Sequence, residues 1–176
     1  MNIAIIGSGS WATALAKIVM HNTSEINWHI RKQETIDEFV EIRRNPNHLE
    51  WAYFDVSRIH FSADINAVIE QSDLLVLAIP SPYLKQSLND ITVDMSQKMV
   101  ISAVKGMIPD ENLLVTEYLH KYFNVPNENL GVIAGPCHAE EIALERLSYL
   151  TVGCENMDKA REWSKLFDTP YVRTTP

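Results

Sequence analysis

"IAIIGSGSWATALA" (residues 3–16) decides how the chain is read. An apolar run meets Gly-x-Gly, and a second apolar run then opens with a tryptophan. Three readings compete. The stretch is a dinucleotide-binding turn, a secretory signal with a small-x-small cleavage site in "ATALAK", or a glycine loop inside a core. A signal peptide needs a basic start and an unbroken apolar segment. Here the start is "MN", and Gly7 and Gly9 interrupt the run. The choice between the other two depends on what flanks the turn.

The flanking chain alternates. Residues 2–6 read as a short buried strand, and 10–20 place Leu15, Ile18 and Val19 on one helical face. Further strands are expected at 25–30, 58–61, 73–80, 98–104, 129–135, 148–154 and 171–174. Helices are expected at 33–44, 62–72, 81–90, 111–123, 136–145 and 157–167, with a long loop, "NPNHLEWAYFDVS", at 45–57. Ser62 or Asp64 caps the helix at 62–72. Ser81 caps the next, with Pro82 at its first position, and Pro136 opens the helix at 136–145. "DLLVLAIP" (73–80) is continuously apolar, as parallel strands buried on both faces are. This order predicts an α/β fold with a doubly wound, mainly parallel sheet: a Rossmann-like NAD(P)-binding domain over residues 1–176.

Composition narrows the partners. The chain is 46% hydrophobic and 22% charged, ordinary for one globular domain of 176 residues. A net charge of −8 argues against nucleic acid, yet leaves room for a small anion held by a few local cations. Cys137 and Cys154 lie apart with no CxxC, which fits a reducing compartment and a cytoplasmic setting. No run approaches the roughly 20 apolar residues of a membrane span. The six histidines have no metal-ligand spacing, so no metal is expected.

Gly7-x-Gly9-x-x-Ala12 follows a strand and opens a helix, which is the context the dinucleotide fingerprint requires. Gly7 permits the tight turn, Gly9 lets backbone approach a pyrophosphate, and Ala12 occupies the third position. An NAD-selective site places Asp or Glu at the end of the second strand. "HIRKQE" puts Arg31 and Lys32 there instead. Two readings stand side by side: the cations hold the 2′-phosphate of NADP, or they are solvated, with Arg31 stacked on adenine. The cofactor is therefore NAD(P)H.

Ligands of such sheets sit beyond the C-terminal strand ends. Three ends stand out: Ile79-Pro80-Ser81, Val104-Lys105-Gly106 and Gly135-Pro136-Cys137-His138. Lys105 emerges from an apolar strand, where it brings a cation to the crevice or simply meets water. Gly135-Pro136 offers a close backbone approach before a helix N-terminus, again favourable to an anion. Cys137 has no assigned base, so it reads as a small first-turn residue rather than a nucleophile. His138 is a proton donor or a surface residue. Trp11 faces the core or flanks the cofactor.

"IGSGSWATALA", "NPNHL", "AIPSPYL", "VKGMIPDENLLVTEYL" and "AGPCHAEEIA" together resemble the successive signatures of bacterial NAD(P)-dependent sn-glycerol-3-phosphate dehydrogenases. The resemblance runs along essentially the whole chain. It implies reversible reduction of dihydroxyacetone phosphate to sn-glycerol 3-phosphate, for glycerophospholipid synthesis. It implies that Ser10, Trp11, Arg31 and Lys32 lie on the cofactor, with Pro80 and Ala139 beside it. Lys105 would touch both cofactor and substrate, while Gly135 and Cys137 would line the substrate site. The chain departs from the pattern at three positions: Ala12 replaces a usual Gly, Cys137 a usual Ser or Thr, and His138 a residue that is often aromatic.

The family's members are about twice as long. The resemblance implies a helical C-terminal domain, absent here, that carries the acid/base lysine and the groups for the substrate phosphate. The chain is thus expected to be the cofactor-binding half, inactive alone, with the oligomeric state open and a homodimer of the full-length protein one option. Two alternatives remain: a keto-acid or imine reductase of the same fold, and a non-catalytic nucleotide-sensing module.

Overall fold

The computed structural model describes residues 1–176. In chain order the first half runs β1 (Ile3–Ile6), α1 (Ser10–Asn22), β2 (Ile26–His29), α2 (Gln33–Ile42), β3 (Ile59–Ser62), α3 (Ile65–Glu70), β4 (Leu74–Leu77), α4 (Ser81–Asn89) and β5 (Met99–Ser102). A small hairpin, β6 (Met107–Ile108) and β7 (Leu113–Leu114), interrupts the alternation. Then follow α5 (Val115–Phe123), β8 (Leu130–Ala134), α6 (Ala139–Ala143), β9 (Ser148–Cys154), α7 (Met157–Phe167) and β10 (Val172–Thr175).

The main sheet has the order β10-β9-β8-β5-β4-β1-β2-β3. From β3 to β8 every neighbouring pair is parallel. The chain winds outward from β1 in one direction through β3, then returns to β4 and winds outward in the other. The order therefore reverses between β1 and β4, and a crevice opens there beyond the strand ends. The central strands IAII and LLVL are buried throughout because helices cover both of their faces. One core layer packs α1, α6 and α7 on the sheet; the other packs α3, α4 and α5. Ala12, Ala14 and Ala16 are fully buried, so α1 lies close to its neighbours.

Several sequence expectations need correction. β9 runs antiparallel to β8, and β10 follows β9, so the far end of the sheet is reversed. A short α6 turns the chain back where a full crossover helix would have kept it parallel. Residues 111–114 are not helical: Leu113 and Leu114 pair with Ile108 and Met107, and α5 begins at Val115. Pro136 does not open a helix; α6 starts at Ala139 with His138 as its N-cap. On α4 the N-cap is Pro80, so Ser81 is already helical and caps nothing with its side chain. Of the two candidates before α3, Asp64 is the cap, accepting from the N–H groups of Asn66 and Ala67. No helix is long and apolar enough to cross a membrane.

Candidate functional site

The turn after β1 sits at the reversal point. Gly7 has φ +132°, a conformation that L side chains rarely adopt. A Cβ there would also run into the Ala78 carbonyl of the neighbouring strand end. Trp28, buried in β2 among Phe39, Phe54 and Phe61, donates its indole N–H to the Gly7 carbonyl at 2.7 Å. The turn is thereby tied to the aromatic core.

Gly9 is different. It is the N-cap of α1 with φ −80°, and a Cβ built on it would meet nothing within 4 Å. No side chain caps this helix start, so its first N–H groups have no partner from the chain. An open space in front of unpaired N–H groups and the positive end of a helix fits a phosphate anion. The residues present therefore fit a dinucleotide.

Two cavities meet here, sharing Gly9, Ile79 and Pro80. One, of about 540 Å³, extends towards β2 and β3 past His29, Arg31, His48 and Asp64. A smaller polar recess of about 230 Å³ adjoins it, lined by Arg31, Lys32, Thr35 and His48 and by no acid. The other, of about 440 Å³, extends towards β5 and α6 past Trp11, Lys105, Cys137 and Ala139. The structure thus brings Gly7, Gly9, Ser10, Trp11, Arg31, Lys32, Pro80, Lys105, Cys137 and Ala139 to one continuous crevice.

Two predicted residues are elsewhere. Ala12 is fully buried in the core below the turn. Gly135 lines neither cavity; its missing side chain lets the start of β9 pass, since a Cβ would lie 3.1 Å from Leu150 Cδ2. Lys105 also differs from expectation. β5 ends at Ser102, and Lys105 lies three residues beyond it, exposed, with Nζ 5.8 Å from the Trp11 ring centroid. Trp11 itself is half-buried, and its Nε1 is buried without a hydrogen-bond partner.

Burial pushes the Cys137 thiol above its ordinary value; Lys105 pulls it down and Glu141 pushes it up. The thiol is therefore held protonated, which suits a weak donor and not a nucleophile. Burial likewise holds His29 below its ordinary value, against the raising effects of the Ser62 carbonyl, Asp64 and Asp90.

Apart from the resemblance carried by NPNHL, nothing in the sequence marks the 45–49 loop as part of the site. Asn45 is 1% exposed and donates to the Ser8 carbonyl and to Thr13 Oγ1, both at 2.9 Å. Its own Oδ1 accepts from the Asn47 N–H at 3.0 Å. His48 shares a 3.0 Å hydrogen bond with Ser10 Oγ through its Nδ1. The signal that could have found them is a polar loop closed by Leu49, Ala52 and Phe54, which are buried and so fold it back onto the turn.

A family model described as NAD-dependent glycerol-3-phosphate dehydrogenase N-terminus matches residues 2–160. The chain belongs to this family. A glycerol-3-phosphate dehydrogenase [NAD(P)+] of Oceanobacillus iheyensis is 30% identical over 178 residues, covering 97% of this chain and 49% of the relative. The glycerol-3-phosphate dehydrogenase structure of Plasmodium falciparum superposes with a TM-score of 0.87 at 28% identity, over 99% of this chain and 52% of that one. That of Coxiella burnetii, at 21% identity and a TM-score of 0.83, shares the fold over 98% of this chain. The chain spans about half the length of the curated relatives it matches. What aligns with this glycerol-3-phosphate dehydrogenase family is its N-terminal, Rossmann-type domain.

Proposed function

We propose that the chain binds NAD(P)H across the crevice and forms the cofactor half of a glycerol-3-phosphate dehydrogenase. On this reading the intact enzyme transfers hydride between NAD(P)H and dihydroxyacetone phosphate or sn-glycerol 3-phosphate. The observation that carries it is Gly9: open space above an uncapped helix start, with cations on both sides of it. The family match over residues 2–160 favours this substrate over a keto acid or an imine, and catalysis over a non-catalytic sensor.

When bound, the nicotinamide supplies the hydride chemistry. The chain supplies position and charge. The N–H groups of Ser10 and Trp11 hold the pyrophosphate. Arg31 and Lys32 hold the adenosine end. Ile79 and Pro80 wall the crevice between its two halves. Lys105 brings positive potential to a carbonyl oxygen that gains charge as it is reduced, and Cys137 lies beside it as a neutral donor. The general acid and the groups for the substrate phosphate belong to a helical C-terminal domain. The setting is the cytoplasm, and a homodimer is the assembly to test first.

Titration of the 176-residue chain with NADH and NADPH tests the reading. Saturable binding of a nicotinamide cofactor is expected, with no turnover of dihydroxyacetone phosphate. Absence of binding overturns the cofactor role, and turnover overturns the division of labour. Arg31→Ala is expected to weaken NADPH about tenfold more than NADH, because one charge-assisted hydrogen bond is worth about 1.5–3 kcal/mol. Equal loss for both cofactors would place Arg31 on the adenine instead.

A further inference from the structure

The wall that carries Lys105 contains a short run of left-handed backbone. Within eight residues of Lys105 three positions have left-handed backbone: Gly106 (φ 90°), Asp110 (φ 67°) and Asn112 (φ 53°). Asp and Asn tolerate this region better than most residues, yet such conformations persist only where the surroundings hold them. Ile108 gives one hold, being 1% exposed in the second core layer.

Glu111 gives the other. It lies between the two left-handed residues at the hairpin tip. Its Oε1 accepts from Lys85 Nζ at 2.8 Å, and its Oε2 accepts from the Tyr122 hydroxyl at 3.2 Å. Lys85 is on α4 and Tyr122 on α5. The bond from Lys85 holds the Glu111 carboxyl below its ordinary value and the Lys85 ammonium above its own. Ser81, one turn before Lys85, lines the same cavity as Lys105, as does Pro82. One carboxylate therefore ties together the two walls that face each other there.

We propose that Glu111 is a positioning residue: by clamping the β6–β7 hairpin to α4 and α5, it holds Lys105 in place and sets the opening of the cavity that contains Cys137. What Lys105 does there rests on the function proposed above; the clamp does not. Glu111 lines neither cavity and acts only through the hairpin. The Lys85 and Glu111 side chains are 41% and 21% exposed, and such pairs add little to global stability. Losing the pair loosens the wall without unfolding the protein.

Cys137, 4% exposed, is the reporter. In a Cys154→Ser background it is the sole thiol, and its rate of reaction with an aryl disulfide reads how often the cavity opens. Glu111→Gln and Lys85→Gln are each expected to raise that rate about two- to fivefold. The melting temperature should stay within about 4 °C of the parent. The exchanged pair, Lys85→Glu with Glu111→Lys, is expected to return the rate towards the parent value. An unchanged rate in Glu111→Gln overturns the clamp. So does a rise that the exchanged pair leaves in place, because that marks general loosening. NADPH is titrated into the same parent sample. Failure to bind it counts against the cofactor reading and leaves the thiol comparison standing.

Discussion

On the β1 side of the crevice the turn is held by buried groups: the Trp28 indole on Gly7, and Asn45 on Ser8 and Thr13. On the β5 side Lys105 precedes a hairpin of two two-residue strands, held at its tip by a partly exposed ion pair. Buried neutral hydrogen bonds leave costly orphans when one partner is lost, whereas exposed ion pairs do not. The dinucleotide end is therefore preformed and rigid. The end assigned to chemistry is the adjustable one, and in the proposed enzyme it meets a second domain.

The largest break in this contrast comes from within the turn itself. Gly7→Ala forces a Cβ against the Ala78 carbonyl at a positive φ. Strain and overpacking together are expected to cost about 3 kcal/mol or more. The variant should melt roughly 6–12 °C lower, if it folds. A melting temperature equal to the parent's would mean that the turn is not rigid.

Asn45→Ala comes next. It leaves the Ser8 carbonyl, Thr13 Oγ1 and the Asn47 N–H short of a partner in a site that is largely dry. About 2 kcal/mol is expected, or roughly 4–8 °C in thermal melts. Cofactor affinity should fall as well, since the same loop carries His48 to Ser10. Loss of stability with affinity intact would separate the loop from the site.

Gly9→Ala sharpens the comparison by reversing the pattern. Its φ of −80° suits alanine, and the new methyl meets nothing. The poorer N-cap and the stiffer unfolded chain oppose each other, so stability should change by about 0.5 kcal/mol or less. Binding should suffer instead, because the methyl stands where a phosphate must approach. A loss of about tenfold or more in cofactor affinity is expected by fluorescence titration. Two glycines two residues apart would then have separate duties, one for folding and one for binding.

Much of the left half of this fold is legible in the sequence, because long apolar runs such as LLVL and the Gly-x-Gly turn are local signals. From β8 to β10 the strands and α7 are legible too, but the direction of β9 and β10 is not. β9 returns antiparallel after a connection whose helix, α6, is only five residues long and packs against α1, and no local pattern encodes that return. The hairpin was hidden because "ENLLVTEYL" has helical spacing from its first residue, and tertiary contacts with α4 and α5 override it. For the site, residue types at strand ends were readable, since strand ends of a parallel sheet converge. Asn45, His48 and Glu111 were not, because each acts through a loop whose return path no periodicity encodes.

The smallest effect is a titration. His29 ends β2, 8% exposed, with Nδ1 3.1 Å from the Ser62 carbonyl. Burial sets its folded value below the ordinary 6.5, so the native state takes up a proton later than the unfolded chain. As pH falls through about 6.5 the unfolded chain gains that proton first, and stability declines until the folded value is passed. Above that window the group contributes no pH dependence. Thermal melts between pH 7.5 and 5 should therefore fall more steeply for the parent than for His29→Gln. Equal slopes would remove His29 as the source. A steeper parent slope that flattens when NADPH is present would show in addition that the filled crevice favours the protonated imidazole, as phosphate charge beside the end of β2 should, by bringing the folded value back towards the unfolded one.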